Sequence, residues 1–344
     1  MADVFIRTQG RAGRVTLTRA KALNALSYEM CLAIDAALRD WADDDSVALI
    51  VIDAEGDKAF CAGGDIAQMY ETGRRGDYSY GRRFWADEYR MNARLAEYRK
   101  PIVSFLQGFV MGGGVGLGCH VSHRVVCETS QIAMPECSIG LVPDVGGTHL
   151  LARAPGHLGA YLGLTGARMG AGDAMRAGFA DIFVLAADWG ALKAALSDTG
   201  TVDVLPSPTP PPHAPLLAHE QLIDAAFGQD SVADILVWLD RDGTEFAQRT
   251  AKALRRNAPL ALACTLAMLR GLGRGATIRD ALMQELRFTW RSMEQADFLE
   301  GIRAAIIDKD RSPRWRHGRP EDVREDDIAA MLASLGPDEL TFDT

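Results

Sequence analysis

Two glycine clusters and two carboxylates are the residues of this chain whose types and spacing suit chemistry. The clusters are Cys61-Ala62-Gly63-Gly64-Asp65 and Met111-Gly112-Gly113-Gly114-Val115-Gly116-Leu117-Gly118. The carboxylates are Glu136, in Met134-Pro135-Glu136, and Asp144, in Pro143-Asp144-Val145-Gly146-Gly147. Glycine lets a ligand approach the backbone closely and leaves N–H groups free to donate. Two such donors aimed at one point form an oxyanion hole, which stabilises negative charge developing on a carbonyl oxygen. A carboxylate beside that oxygen acts as base or as nucleophile. The pattern describes an enzyme acting on an acyl carbonyl.

The elements that must position these residues follow from the hydrophobic pattern. Residues 4–7 and 14–17 are strand-like. Ser27 can cap a helix over residues 28–43, with Met30, Ile34, Leu38 and Trp41 on one face. Residues 47–52 form a continuous β-branched run, the mark of a buried parallel strand. A loop over 53–58 leads into the first glycine cluster, and residues 65–70 begin a helix. Residues 74–80 are polar and contain glycine, which suits a loop before a helix over 82–97. Pro101 opens a strand over 102–105 that ends at the second glycine cluster. Short strands follow at 124–127 and 131–133. Strands alternating with helices imply an α/β fold with largely parallel pairing.

Residues 205–215 include Pro206-Ser207-Pro208-Thr209-Pro210-Pro211-Pro212 and suit an extended linker or exposed loop. Beyond it the pattern is helical: Ile235, Leu236 and Leu239; Leu260, Cys264, Ala267 and Met268; and Leu282, Leu286, Phe288 and Thr289 in a helix over 278–293. The expected organisation is a catalytic core over residues 1–200, a Pro-rich linker or loop over 201–216, and a helical C-terminal region over 217–344 that packs on the core.

Composition narrows the partners. The chain has 344 residues, enough to bury a substantial core in one large domain or two. Its 48% hydrophobic and 24% charged content is ordinary for a soluble globular protein. A net charge of −9 without a long basic block argues against a nucleic-acid partner. The basic stretch over 311–319 suits either a solvated loop or a contact to phosphate groups. No apolar stretch is long enough to cross a bilayer, and no charged-then-apolar leader precedes the first strand, so neither a membrane partner nor export is expected. Cys31, Cys61, Cys119, Cys127, Cys137 and Cys264 form neither a CxxC pair nor a zinc pattern. They suit reduced, buried thiols in a cytoplasmic protein with no metal site.

Other motifs carry less. Gly271-Leu272-Gly273-Arg274-Gly275-Ala276 matches GxGxxA but follows a helical rather than a strand-like segment, against a dinucleotide site. His120 and His123 form an HxxH without the glutamate of a metalloprotease motif. No serine sits in GxSxG, so an α/β-hydrolase triad has no support.

The run Lys58-Ala59-Phe60-Cys61-Ala62-Gly63-Gly64-Asp65-Ile66, followed by Gly112-Gly113-Gly114, resembles the crotonase (enoyl-CoA hydratase/isomerase) superfamily. Within it the chain is similar to the 3-hydroxyisobutyryl-CoA hydrolase family. That resemblance is carried by Met111 to Leu117, Ala133 to Glu136, Ile139 to Gly147, and Glu300-Gly301-Ile302-Arg303-Ala304 running into Ile307-Asp308-Lys309-Asp310-Arg311-Ser312-Pro313-Arg314-Trp315. It covers nearly the whole chain and keeps its order. It implies the crotonase spiral of repeated ββα units with a helical C-terminal region. It also implies hydrolysis of a short 3-hydroxyacyl-CoA thioester, as in valine breakdown, with water and no metal or redox cofactor.

The site residues follow from the resemblance. Gly64 and Gly113 match the oxyanion-hole donors, Gly113 at a helix N-terminus where free amides favour negative charge. Gly112 and Gly114 suit a tight turn, Gly112 also flanking the acyl group. Glu136 would activate water or form a mixed anhydride; both routes stay open. Asp144 would bind the substrate's 3-hydroxyl or orient proton transfers, the alternative being an N-cap for a helix starting near Thr148. Enoyl-CoA hydratases carry a glutamate where this chain has Gly116, so half of the hydration machinery is missing. Lys21, Ala22 and Leu23, in Lys21-Ala22-Leu23-Asn24-Ala25-Leu26, match a segment touching the nucleotide end of coenzyme A, although Ala20 stands where proline is usual. Ala62, Asp65 and Ile66 match the adenine-side wall, and Gly63 is a further substrate- or coenzyme A-binding position. Lys309 suits either a ribose phosphate or solvent. Phe84, Trp85, Glu88, Tyr89 and Asn92 match a helix covering the acyl pocket and equally suit a core. Other superfamily activities, hydration or double-bond isomerisation, and a silent acyl-CoA-binding subunit are the rival readings. Many crotonases form trimers or hexamers, so a homo-oligomer is one expectation; a C-terminal part that covers the same surface within one chain is the other.

Overall fold

The computed structural model describes residues 3–207, 213–273 and 275–342. Residues 208–212 of the proline-rich run and Arg274 of the GxGxxA motif lie outside them. The run is flanked by 3-10 turns at Val202–Val204 and Pro215–His219. The chain divides into two compact units. The first comprises the chain up to Asp65, Asp87–Ala133 and Arg168–Pro215. The second comprises Ile66–Ala86, Met134–Ala167 and the chain from Leu216.

The first unit carries every strand described. They are β1 (Val4–Gln9), β2 (Ala12–Leu17), β3 (Leu49–Ala54), β4 (Ala59–Cys61), β5 (Ile102–Leu106), β6 (Phe109–Met111), β7 (His123–Val126), β8 (Gln131–Ala133) and β9 (Ile182–Phe183). The larger sheet runs β1-β2-β3-β5-β7-β9, antiparallel only at β1-β2. The smaller sheet, β4-β6-β8, is parallel throughout. Each turn of the chain gives one strand to the larger sheet and the next to the smaller, as in β3 then β4 and β5 then β6. This is the expected spiral of ββα repeats.

The apolar runs of β3 and β5 are buried on both faces, which explains why they lack polar alternation. Val51, Val103, Phe105 and Val125 pack with Trp189 and Leu196 of the helix Trp189–Thr199. The Ser27 hydroxyl caps the helix Tyr28–Ala42 by accepting from the Met30 N–H (3.2 Å), and Met30, Ile34, Leu38 and Trp41 are its buried face.

One strand differs from the sequence reading. The run after Pro101 does not lead straight into the second glycine cluster. Gly108, at φ +55°, turns the chain out of β5 and into β6, and β6 delivers the cluster. A Cβ at Gly108 would strike the Lys58 carbonyl, so both conformation and space require glycine.

The second unit is helical. Its helices include Ala67–Gly73, Gly147–Arg153, Leu158–Thr165, Val232–Asp242, Pro259–Gly271, Ile278–Gln295 and Phe298–Ile302. Ile235, Leu236, Leu239, Leu260, Leu282, Leu286, Phe288 and Thr289 are buried, as their spacing requires. The helix Ser79–Ala96 starts three residues before the expected position 82. Asp77 explains the difference: its carboxylate accepts from the Ser79 N–H (3.0 Å) and hydroxyl (2.7 Å), fixing an earlier start. Among the described residues no helix is long and apolar enough to cross a membrane.

Candidate active site

In the first unit the two glycine clusters meet. The segment Leu23 to Leu26 runs along Ala62 to Asp65. The Ala62 N–H donates to the Leu23 carbonyl (3.0 Å), the Leu26 N–H to Gly63 (2.9 Å) and the Asp65 N–H to Leu26 (2.8 Å). These bonds hold the backbone on both sides of Gly64, while the Gly64 N–H has no protein acceptor among the described residues. Gly63 lies at φ +120°, a conformation that favours glycine. At the second cluster, Gly112 accepts from the N–H groups of Val115 (2.7 Å) and Gly116 (3.1 Å), and the short helix Gly113–Gly118 begins. The Gly113 N–H is one of the first-turn donors that a helix cannot satisfy itself.

A Cβ added at Gly113 would lie 3.3 Å from the Gly64 nitrogen and 2.9 Å from Glu88 Oε1. The two glycines are therefore neighbours with no room for a side chain. At Gly114 a Cβ would strike the Cys61 carbonyl, so that glycine serves the packing of the helix on β4. Glu88, buried on the helix Ser79–Ala96, joins Gly64 and Gly113. Tyr89 and Asn92 on the same helix are also buried in this unit. Burial, with a smaller push from the Glu88 charge, holds the Cys61 thiol up at about 12, so it stays protonated.

The remaining first-unit positions lie on or just before the segment that runs beside Gly64. Lys21 and Ala22 are exposed on the 3-10 turn Ala20–Ala22. Leu23 (φ +51°) and Asn24 (φ +55°) follow in left-handed conformation. Asn24 is buried, and its amide donates to the carbonyls of Glu55 (3.0 Å) and Ala59 (2.9 Å). Arg19 donates to the Ala25 carbonyl (2.7 Å) and pairs with Asp65 (2.9 Å). These bonds hold the turn without the proline that Ala20 replaces. Both the N–H and the carboxylate of Asp65 are occupied by protein, which makes it a brace for the Gly63-Gly64 backbone.

The second unit holds the acids. Glu136 opens the 3-10 turn Glu136–Ile139. The turn is tied down by the Ala258 N–H donating to the Cys137 carbonyl (2.9 Å) and by the Ser138 hydroxyl donating to Pro135 (2.7 Å). Glu136 is 5% exposed, and its Oε2 has no partner among the described residues. Burial first, then the charges of Asp144 and Glu285, push its carboxyl well above the ordinary range. Asp144 is likewise 5% exposed. Its carbonyl accepts from the Gly147 N–H (2.6 Å), and Val145 (φ +53°) and Gly146 (φ +80°) continue the turn in left-handed conformation. The N-cap of the helix Gly147–Arg153 is Gly146, two residues past Asp144, and it has no side chain to cap with. Glu285 does that work instead, accepting from the N–H groups of Gly146 (2.7 Å) and Thr148 (3.0 Å) and from the Thr148 hydroxyl. Sequence reasoning missed Glu285, because the turn whose N–H groups it accepts from lies far away in the chain.

Elsewhere in this unit, Ile66 precedes the helix Ala67–Gly73 as its N-cap. Phe84 and Trp85 are buried, Trp85 against Phe298 with ring centroids 5.5 Å apart, as core residues. Lys309 is exposed at φ +57°. In the basic stretch, Arg316 spends its guanidinium on the carbonyls of Gln295 (3.0 Å) and Glu294 (2.7 Å). Arg311, with Arg256, lines a cleft with Ser138, Gly301, Ala304, Ala305 and Pro313. Among the described residues no group of three or more His, Cys, Asp or Glu side chains is placed to hold a metal ion.

Known proteins share this pattern. A family model described as enoyl-CoA hydratase/isomerase matches residues 12–332. The mitochondrial 3-hydroxyisobutyryl-CoA hydrolase of Gallus gallus is 38% identical over 352 residues, covering 98% of this chain and 91% of that protein. A crystal structure of an enoyl-CoA hydratase from Rhodobacter sphaeroides 2.4.1 is 60% identical with a TM-score of 0.97, covering 99% of this chain and 100% of that one. A crystal structure of a carnitinyl-CoA dehydratase from Mycobacterium thermoresistibile is 38% identical with a TM-score of 0.94, covering 100% and 99%. With its paired parallel sheets, its glycine clusters and a family match across nearly its whole length, the chain belongs to the enoyl-CoA hydratase/isomerase family, the crotonase superfamily.

Proposed function

We propose that the chain hydrolyses the thioester of a short 3-hydroxyacyl-CoA, with 3-hydroxyisobutyryl-CoA as the leading substrate. The observation that carries this reading is Glu136, a buried acid with an unpartnered oxygen whose proton affinity is raised beside a second acid, Asp144. The chain has glycine at 116, inside a fully buried helix, where a hydratase would carry its second glutamate. Relatives named 3-hydroxyisobutyryl-CoA hydrolase, alike over nearly the whole chain, support the same reading.

In this mechanism the Gly64 and Gly113 amides hold the thioester oxygen, and charge that builds on it is stabilised by about 3–4 kcal/mol per donor. A carboxyl whose proton affinity is raised above the ordinary carboxylate range is a stronger general base once ionised. Ionised Glu136 takes a proton from water; the hydroxide adds to the carbonyl carbon; the C–S bond breaks; and the proton passes to the departing sulfur. In the alternative route the Glu136 carboxylate attacks the carbonyl carbon, the C–S bond breaks and the thiolate leaves as coenzyme A; water then opens the anhydride, releasing the hydroxyacid and restoring the Glu136 carboxylate. Asp144 accepts the substrate's 3-hydroxyl. Lys21, Ala22, Leu23, Ala62 and Lys309 are assigned to coenzyme A, and water is the only co-reactant. All six cysteines are free and buried, which fits a reducing compartment such as the cytoplasm.

Thiol release from a panel of 3-hydroxyisobutyryl-, 3-hydroxypropionyl-, crotonyl- and acetyl-CoA tests the reading. Hydrolysis of the 3-hydroxyacyl members far above crotonyl-CoA hydration is the expected result. The names of the similar crystal structures favour a second reading, hydration or dehydration at the acyl double bond. Robust crotonyl-CoA hydration without thiol release would establish it in place of hydrolysis. Oxygen-18 entering Glu136 in a single turnover separates the anhydride route from the base route.

A further inference from the structure

Glu285 lies in the apolar stripe of the helix Ile278–Gln295, between Leu282 and Leu286, with no exposed surface. A leucine would fill such a position at no electrostatic cost. Here a carboxylate stands with both oxygens engaged: the Gly146 N–H donates to Oε2, and the Thr148 N–H and hydroxyl donate to Oε1. The acids whose charges act with it are Asp144, on the turn it holds, and Glu136, on the 3-10 turn.

The turn needs an anchor. Val145 and Gly146 are consecutive left-handed residues, and for a β-branched valine that conformation is unfavourable by about 1–2 kcal/mol. A glutamine at 285 would not reproduce the anchor. Its carbonyl could take the two Thr148 donors, but its NH2 would then face the Gly146 N–H. The choice of a carboxylate also adds charge to a cluster that already holds two acids. Burial is the largest influence on its carboxyl and pushes it up to about 8; the Thr148 hydroxyl and the Gly146 N–H oppose this, and Asp144 adds to it.

We propose that Glu285 is a positioning residue for the acid pair: it fixes the turn that carries Asp144 through three hydrogen bonds. The proposal rests on Glu136 and Asp144 being the acids of the hydrolysis proposed above.

The test is a carboxyl titration by carbon-13 NMR on the full chain with labelled glutamate, with Glu136 assigned from Glu136→Gln. In Glu285→Gln the turn that carries Asp144 loses an anchor, and the Glu136 midpoint, which Asp144 raises, should move from its parent value. Its kcat should fall about tenfold or more, with KM within about threefold. A Glu136 midpoint that stays in place in folded Glu285→Gln overturns the proposal, whatever happens to the melting temperature. If Glu285→Gln does not fold, Thr148→Val carries the test: the Glu285 midpoint should rise above its parent value and the Glu136 midpoint should move. If neither moves, the proposal is overturned. The titration needs no substrate. A parent that releases no thiol sinks the hydrolase reading, while the titration still decides on Glu285.

Discussion

The Gly64 nitrogen lies 3.3 Å from the point that a Cβ of Gly113 would occupy, so a side chain at one glycine presses on the amide of the other. The same Cβ would sit 2.9 Å from Glu88 Oε1. Glycine at 113 is thus required by what it approaches, and the conformation of its own backbone plays no part. Gly113→Ala should lower kcat for thiol release by about 10²–10³-fold, the usual cost of losing one oxyanion donor. Gly190→Ala is the matched control. It lies in the helix Trp189–Thr199 with nothing within 4 Å of an added Cβ, and it should keep full activity with a gain in stability of about 0.5–1 kcal/mol. Steady-state kinetics and thermal melts of the two variants check the pair; equal activity in both would remove Gly113 from the oxyanion hole.

Glu136 makes activity and stability depend on pH in opposite senses. Burial, then Asp144 and Glu285, raise its carboxyl in the folded protein well above 4.5. Turnover that needs the carboxylate should therefore rise with pH through that elevated value. Asp144→Asn removes a like charge and should move the limb to lower pH. For stability, the folded state holds this proton more tightly than the unfolded chain. The contribution is complete below about pH 4.3 and is lost as pH climbs toward the folded value, at about 1.4 kcal/mol per unit. Glu136→Gln has no such loss. It should be inactive, still bind acyl-CoA, and melt above the parent by a margin that widens from pH 5 to pH 8. A constant margin would mean that Glu136 is already ionised at low pH.

Asp53 behaves in the reverse way. It lies buried in the first unit, paired with Arg14 (2.8 Å) and Lys193 (2.9 Å) and accepting from the Thr16 hydroxyl (2.7 Å). Burial works to raise its carboxyl, but Lys193, Thr16 and Arg14 together outweigh burial and hold it below the ordinary value. Its contribution is present above about pH 3.9 and is lost as pH falls through the lower folded value. Asp53→Asn leaves the buried Arg14 without its carboxylate and should cost about 3 kcal/mol in urea unfolding at pH 7. A cost below about 1 kcal/mol would place the network among ordinary surface pairs.

How much of this could be read from the chain depends on the distance over which each feature is decided. The buried strands were legible because an unbroken apolar run such as residues 47–52 states its own burial. The glycine clusters were legible because glycine's conformations and free amides are local properties. Element starts moved where one side chain outside the hydrophobic pattern decides: Asp77 draws a helix start forward to Ser79, and Gly108 splits one run into β5 and β6. Glu285 was not legible. Its place beside Leu282 and Leu286 lies on the buried face, but the group that an acid holds there, the Gly146 N–H, is 139 residues away. The same distance hid the cap of the helix Gly147–Arg153, for which Asp144 had been a candidate.

Gly301, in the Glu300-Gly301-Ile302 block, shows how a motif residue far from the acids in sequence governs the turn that carries one of them. A Cβ there would drive into the Ile139 carbonyl, at the end of the 3-10 turn opened by Glu136. The same turn is closed by Gly140, at φ +75°, where a Cβ would lie 2.6 Å from the Asp297 backbone. The turn is thus pressed between two glycines and the start of the helix Phe298–Ile302. Backbone cannot rotate away as a side-chain tip can, so Gly301→Ala must displace either the helix or the turn, at a cost of about 1–3 kcal/mol. The expected outcome is a lower melting temperature together with a loss in kcat larger than the loss in substrate binding, because Glu136 moves with Ile139. Isothermal titration with a non-hydrolysable acyl-CoA thioether measures the binding half and thiol release the other. Full kcat in a destabilised variant would show that the helix yields and the turn does not.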